Sequence, residues 1–171
     1  MGVRMAEIRE GTVVVPVTLE HARLLDSPAD FEQRFGLALV EGYLAFPEAV
    51  AQTLETLRAG TAPQWYSHLI VDTATARVVG LGGFTGPPRD GVVEIGYSVA
   101  PSERGRGHAT AAARAWIEAA RERGVRTVIA HTLAQENPST AVLRRCGFAQ
   151  TGETMDPDEG PVWRWELDLT R

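Results

Sequence analysis

The sequence predicts an α/β (α+β) fold built on a mixed, mostly antiparallel sheet of about seven strands. Three observations predict it. Short apolar runs with period-two alternation, bounded by Gly, Pro and polar turns, recur along the chain with segments of helical period between them. The runs at 64–72, 77–85 and 92–99 follow one another through short turn-forming links, which permit only antiparallel pairing. The run at 127–133 follows 92–99 through a long amphipathic helix, and that order makes the two strands parallel.

In chain order, TVVVPV at 12–17 reads as a strand that Pro16 ends or confines to a sheet edge. Thr18 caps a short helix, LEHARLL, which Ser27-Pro28 breaks. Residues 28–58 read as helical in at least two pieces, 30–40 and 47–58, with Pro47 in the first helical position. QWYSHLIVD at 64–72 and RVVGLGGFT at 77–85 form a hairpin through DTATA. Gly80, Gly82 and Gly83 in its second strand predict a bulge or a closely approaching neighbour. GPPRDG turns the chain into the central strand, 92–99. TVIAHTL at 127–133 reads as a buried strand, and 138–145 as a short helix that Gly147 stops in the left-handed conformation. Strands at 148–153 and 161–169 close the chain, with Trp163 and Trp165 on one face and the solvated loop DPDEG between them. Phe31, Phe35, Tyr43, Phe46, Trp65 and Tyr66 are read mostly as core. With 171 residues and no repeat or linker, the chain is expected to be one domain, 1–171.

The stretch at 92–117, VVEIGYSVAPSERGRGHATAAARAWI, organises the rest. Ile95, Tyr97 and Val99 share one face of the strand; Glu94, Gly96 and Ser98 share the other. Pro101 ends it, and Arg104-Gly105-Arg106-Gly107 leads straight into an amphipathic helix carrying Ala109, Ala112, Ala113, Trp116, Ile117 and Ala120 on one side. Helix N-termini present unpaired N–H groups and favour negative charge. Two glycines that let the backbone approach a ligand, with two arginines, make this a pyrophosphate site. No Gly-Lys-Ser/Thr follows, which excludes a P-loop. Thr110 stands where a dinucleotide fingerprint needs a third small residue.

Arg104-x-x-Gly107-x-Ala109, after a strand ending in Val-x-Pro, resembles the acyl-CoA signature of the GNAT N-acetyltransferase superfamily. AHTLAQENPSTAVLRRCGF at 130–148 strengthens the resemblance. In the branch similar to ribosomal-protein N-terminal (alanine) acetyltransferases, an Asn-x-x-Ser or Asn-x-Ser element precedes a short helix ending in Gly-Phe. Asn137, Ser139 and Gly147-Phe148 stand in those places. The likeness covers 65–170 by motif and 12–64 by order of elements. It implies a GNAT-like sheet splayed between the central strand and the next, with helices on both faces. It further implies an acyl-CoA-binding core at 65–171, behind a first strand and acceptor-side helices at 12–64.

Residue by residue, the resemblance implies that backbone groups of Ser98 and Val99 pair with the pantetheine amides. Arg104, Gly105, Arg106, Gly107, His108 and Ala109, with Thr110, would hold the pyrophosphate. Asn137 would touch the pantetheine arm, and Ser139 would lie near the acetyl-CoA sulfur as proton donor to the leaving thiolate. The chain also departs from the pattern. Many members carry a tyrosine in the short helix as that acid, whereas no tyrosine follows Tyr97 here and Arg144 lies near the equivalent place. The acid is then Ser139, a water or no specific group. The spacing of Asn137 and Ser139 is also one residue shorter than the commoner version.

Acetyl transfer needs a neutral amine, and amines with pKa values of about 8 to 10 are mostly protonated at neutral pH. A carboxylate in the cleft takes that proton directly or through water. Glu94, mid-strand beside Gly96 and Ser98, is the candidate base; a solvent-facing residue or a cross-strand ion-pair partner is the plainer alternative. A backbone N–H near Val99 would stabilise the oxyanion. Cys146 is the only thiol and reads as a small buried hydrophobe, so transfer is expected to be direct. The four histidines show no metal spacing, and no metal is expected.

The resemblance implies an enzyme that moves an acetyl group from acetyl-CoA, as cosubstrate, to a primary amine, either a protein N-terminus or a small amine. A non-catalytic acyl-CoA-binding or sensor module is the alternative, supported by the missing tyrosine. The acceptor side would be formed by 28–65 and by loops 86–91 and 154–161. A net charge of −5 and the lack of basic runs argue against nucleic acid. A single cysteine, no long apolar run and no apolar leader core in MGVRMAEIRE give the expectation of a cytoplasmic protein free of membrane contact, monomeric or homodimeric.

Overall fold

A computed structural model describes residues 11–171; the leader-segment expectation for 1–10 lies outside the described residues. The chain runs β1 (Thr12–Pro16), α1 (Leu19–Leu24), α2 (Pro28–Phe35), β2 (Ala38–Leu39), α3 (Pro47–Arg58), β3 (Ser67–Asp72), β4 (Arg77–Phe84), β5 (Val92–Val99), α4 (His108–Glu122), β6 (Thr127–Leu133), α5 (Pro138–Arg145), β7 (Ala149–Asp156) and β8 (Gly160–Asp168). The strands form an eight-stranded sheet in the order β1-β3-β4-β5-β6-β8-β7, with β2 beside β4. Of the strand pairs among the described residues, only β5–β6 and β2–β4 are parallel. Among the described residues no helix is long and apolar enough to cross a membrane.

Sequence punctuation becomes element boundaries. Pro16 closes β1, which lies at the sheet edge. The Thr18 hydroxyl accepts the His21 N–H at 3.1 Å while the His21 ring accepts the Thr18 N–H, a capping box with His in the usual Glu place. The Asp72 carboxylate accepts from the Ala74 N–H and the Thr75 hydroxyl, which shapes the link between β3 and β4. Asp90 and Gly91, with φ of 51° and 76°, make a two-residue turn into β5, and Arg89 and Val92 exchange both backbone bonds around it.

Three expectations are corrected. The helix expected over 30–40 stops at Phe35, because Gly36 takes the left-handed cap at φ 69°. Ala38–Leu39 then pairs with Arg77 and Val78, a stretch of β4 that β5 leaves free because its pairing ends at Gly80. This is the strand beyond the expected seven. The strand expected from 64 begins at Ser67, since Pro63–Trp65 turns once as a 3-10 helix. Third, β6 is not buried throughout: it alternates, with His131 and Leu133 exposed.

Helices cover both faces and define two cores. One holds Trp116 and Ile117 of α4 and Leu143 of α5 against Ile95, Val99 and Trp165. The other holds Leu25, Phe31 and Val50 against Leu69, Val71 and Val78. The second core draws on β3 and β4 and not on β6, which explains the open face of β6. The glycines of β4 meet the expectation in both forms. Val79 is an extra residue bulged between the Ile70–Gly80 and Val71–Val78 pairs. A Cβ on Gly82 would lie 2.6 Å from both the Gly96 carbonyl oxygen and the Trp116 ring.

Candidate active site

The parallel seam between β5 and β6 is short. It pairs Val92 with Thr127, Val93 with Val128 and Glu94 with Ile129, and then stops. β5 continues beside β4 to Val99, whereas β6 continues beside β8 to Leu133. The sheet therefore splays open beyond Glu94. Within β5, the Glu94 carbonyl accepts from Thr85 N–H, and the N–H of Ala100 donates to Val79. Even-numbered residues thus turn their peptide groups to β4, and by alternation Tyr97 and Val99 turn theirs into the splay without a strand partner. This splits the expectation for Ser98 and Val99. Val99 offers backbone groups to the cleft; Ser98 offers its side chain, with its backbone directed at β4.

A cavity of about 680 Å³ fills the splay and runs to the N-terminus of α4. Ser98, Val99, Arg104, Gly105, Gly107, His108, Ala109, Thr110, Asn137 and Ser139 all border it, so nearly every expected binding residue converges on one cleft. Gly105 and Gly107 have φ of 77° and 83°, and a Cβ on either would meet nothing within 4 Å, so it is backbone conformation that requires glycine there. Arg104 is exposed and its Nε donates to the Val99 carbonyl at 3.2 Å. Arg106 is the exception: it does not line the cavity and reaches toward Glu103, at 3.7 Å. His108 turns inward, its Nδ1 2.8 Å from the Thr12 hydroxyl. Arg145, at the end of α5, adds a cation to the wall that the sequence reading missed. Asn137 caps α5, its side-chain oxygen accepting the Thr140 N–H at 3.0 Å.

A second cavity, of about 160 Å³, opens on the α3 side. Phe46, Thr53, Tyr66, Ser67, Phe84 and Thr85 form much of its wall, and no ionisable acid or base other than Tyr66 and Tyr97 lines it. Of the aromatics read as core, Phe31, Tyr43, Trp65 and Tyr66 are buried, while Phe46 is exposed at the cavity mouth. Loops 86–91 and 154–161 line neither cavity, and Asp156 instead accepts from the N–H groups of Asp158 and Glu159 in its own turn.

Glu94 stands just outside both cavities, half-buried, next to Thr85 of the second. Its Oε1 lies 2.5 Å from His131 Nδ1, a partner that the sequence reading did not assign. Tyr97 borders both cavities, and its hydroxyl donates to the Ser139 carbonyl at 3.2 Å. Burial, with the Cys146 thiol nearby, pushes the Tyr97 phenol well above its ordinary pKa. Arg144 is turned away: it pairs with Glu136 and covers the Trp165 ring at 5.0 Å. Burial also raises the Cys146 thiol, which makes it a poor nucleophile at neutral pH.

An open mixed sheet, splayed at its central parallel seam above a glycine-bearing helix N-terminus, defines an acetyltransferase fold of the GNAT class. Residues 15–149 match the acetyltransferase (GNAT) domain, and the chain belongs to that family. Three solved structures share the fold. RimL, a ribosomal L7/L12 alpha-N-protein acetyltransferase solved with coenzyme A, matches at a TM-score of 0.68 and 18% identity over 92% of this chain and 94% of its own. A chimera of the Vibrio cholerae spermidine N-acetyltransferase SpeG and hSSAT matches at 0.68 and 12% over 94% and 96%. A ribosomal-protein-S5-alanine acetyltransferase from Vibrio fischeri matches at 0.66 and 16% over 94% and 94%. No curated protein matches the sequence significantly.

Proposed function

We propose that this chain is an acetyl-CoA-dependent N-acetyltransferase that transfers the acetyl group directly to a primary amine. The observation that carries the reading is a pair of cavities that share Tyr97 of β5 as a wall, one ending in a cationic, glycine-bearing helix N-terminus and the other small and largely apolar. Residues 104–110 receive the pyrophosphate on free N–H groups and arginine charge. The peptide groups of Tyr97 and the Val99 N–H, which have no strand partner, bond the pantetheine arm and the developing oxyanion. Asn137 and Ser139 border the arm near its sulfur. Glu94, oriented by His131, takes the amine proton through water.

The acceptor cavity favours an amine attached to a small, uncharged group, such as a peptide N-terminus with a small first side chain or a small alkylamine. It lines its walls with no carboxylate for a polyamine and no guanidinium for an amino-acid carboxylate. The test is CoA release from acetyl-CoA across a panel of short peptides, alkylamines, polyamines and free amino acids. Release with uncharged amines and peptides is expected. A melting-temperature rise with acetyl-CoA but no release with any amine would mark a binding module instead.

A further inference from the structure

We propose that Tyr97 is the proton donor to the departing CoA thiolate, so that the acid comes from the central strand and not from α5. The proposal rests on the acetyl-CoA-dependent reading of the site. Transfer requires the amine nitrogen and the thioester carbon within bonding distance. The two cavities come nearest each other at Tyr97, the residue that lines both, and transfer is assigned to that place. Its ring is stacked against Trp116, with centroids 6.4 Å apart and planes 23° apart. That packing aims the hydroxyl across the splay at the first turn of α5, where the Ser139 carbonyl accepts it at 3.2 Å. This bond is long for O–H···O, where about 2.7 Å is usual. It fixes the direction of the hydroxyl yet yields readily to an anion.

The neighbouring groups are poorer acids for this step. Cys146 lines neither cavity and points at the Thr110 carbonyl. Arg144 is held by Glu136. The Ser139 hydroxyl is an alcohol, far less acidic than a phenol. Tyr97 keeps its proton at neutral pH because burial favours the uncharged form. A thiolate released into the same desolvated space becomes more basic for the same reason.

The step balances as follows. The amine lone pair forms the N–C bond to the acetyl carbon, and the C–S bond breaks with its electron pair going to sulfur. The Tyr97 O–H proton moves to that sulfur and gives the CoA thiol. The proton lost by the nitrogen leaves on the Glu94 side to solvent, and Tyr97 is reprotonated by water. The sum is amine plus acetyl-CoA giving acetamide plus CoA.

The test compares Tyr97→Phe with the parent chain, using an amine that the parent acetylates. The expected result is a kcat about 10² to 10³ lower, with the acetyl-CoA-induced rise in melting temperature retained. A purely packing role is separated by placing a fluorinated tyrosine at 97. A more acidic phenol should move the alkaline limb of the kcat profile to lower pH. A Tyr97→Phe kcat within about threefold of the parent, an alkaline limb indifferent to fluorination, or a loss with Ser139→Ala and none with Tyr97→Phe overturns the proposal. If the parent releases no CoA with any amine, the acetyltransferase reading itself fails; a parent that turns over with an unaffected Tyr97→Phe overturns this assignment alone.

Discussion

Glu94 stands on the last rung on which β5 and β6 pair, and its Oε1 lies 2.5 Å from Nδ1 of His131, two residues past that rung. The carboxylate is therefore fixed where the sheet begins to open, beside Thr85 at the rim of the smaller cavity. Glu94→Gln keeps the shape and removes the proposed base. It should lower kcat about ten- to a thousandfold and change the pH dependence of the rate. A pH–rate profile identical to the parent's would remove Glu94 from the role.

The anion site gives a second expectation. Gly107 caps α4 at φ 83°, a conformation that a β-branched residue adopts only with strain. Gly107→Val should therefore tilt the first N–H groups of α4 away from the pyrophosphate. Arg104→Ala removes one exposed cation and one charge-assisted bond, a loss of about tenfold or more in acetyl-CoA affinity. Calorimetric titration with acetyl-CoA should rank the parent tightest, then Arg104→Ala, then Gly107→Val. Equal affinities in all three would mean that the turn does not carry the pyrophosphate.

Much of this cleft was legible in the sequence because local rules wrote it. Gly105, Gly107, Pro101 and Gly147 act within a few residues of where they stand, and the structure puts each at the turn or helix end expected of it, whereas the cap that Asn137 makes on α5 was not read from the sequence. Relationships made by topology were hidden. Arg145, His131 and the hydroxyl of Tyr97 reach the site through residues distant in the chain, and no spacing announces them. The strand alternation places Tyr97 on the apolar face, where it packs against Trp116, but does not show that the splay opens beside that face. β2 escaped because two residues carry no periodicity; it exists because β5 leaves part of β4 unpaired.

A third expectation concerns the support beneath the loop. Glu103 is 3% exposed, and Arg77 Nη2 meets its Oε1 at 2.8 Å. The other oxygen has only long contacts, 3.7 Å to Arg106 and 3.9 Å to His108. Arg77→Met leaves a buried carboxylate without its close partner, at a cost of about 1–3 kcal/mol. For a domain of this size that lowers the melting temperature by roughly 2–4 °C per kcal/mol. Acetyl-CoA affinity should fall as well, because Glu103 directly precedes Arg104. Combining Arg77→Met with Glu103→Gln should recover part of the stability, since the buried group is then neutral. A double variant no more stable than Arg77→Met would show that the ion pair is not what anchors the loop.

His68 makes the fold itself pH-sensitive. Its Nδ1–H donates to the Tyr66 carbonyl at 2.9 Å, and its ring is edge-on to both Phe84 and Trp116. Burial drives its pKa down from 6.5 to about 4; the Tyr66 bond opposes that fall and the Arg123 charge adds to it. The folded state thus holds His68 neutral where the unfolded chain binds a proton. Stability from this residue is fully present above pH 6.5 and is lost as pH falls toward 4. Between neutrality and pH 5 the loss is ~2 kcal/mol. The Asp72 and Asp156 carboxylates are held below their ordinary 3.8 and so titrate below this window. Urea melts at pH 7 and pH 5 on the parent and on His68→Gln would read it. The parent should lose stability between the two values, and the variant, whatever its stability at pH 7, should lose less by about that amount. Equal losses would place the acid sensitivity elsewhere in the molecule.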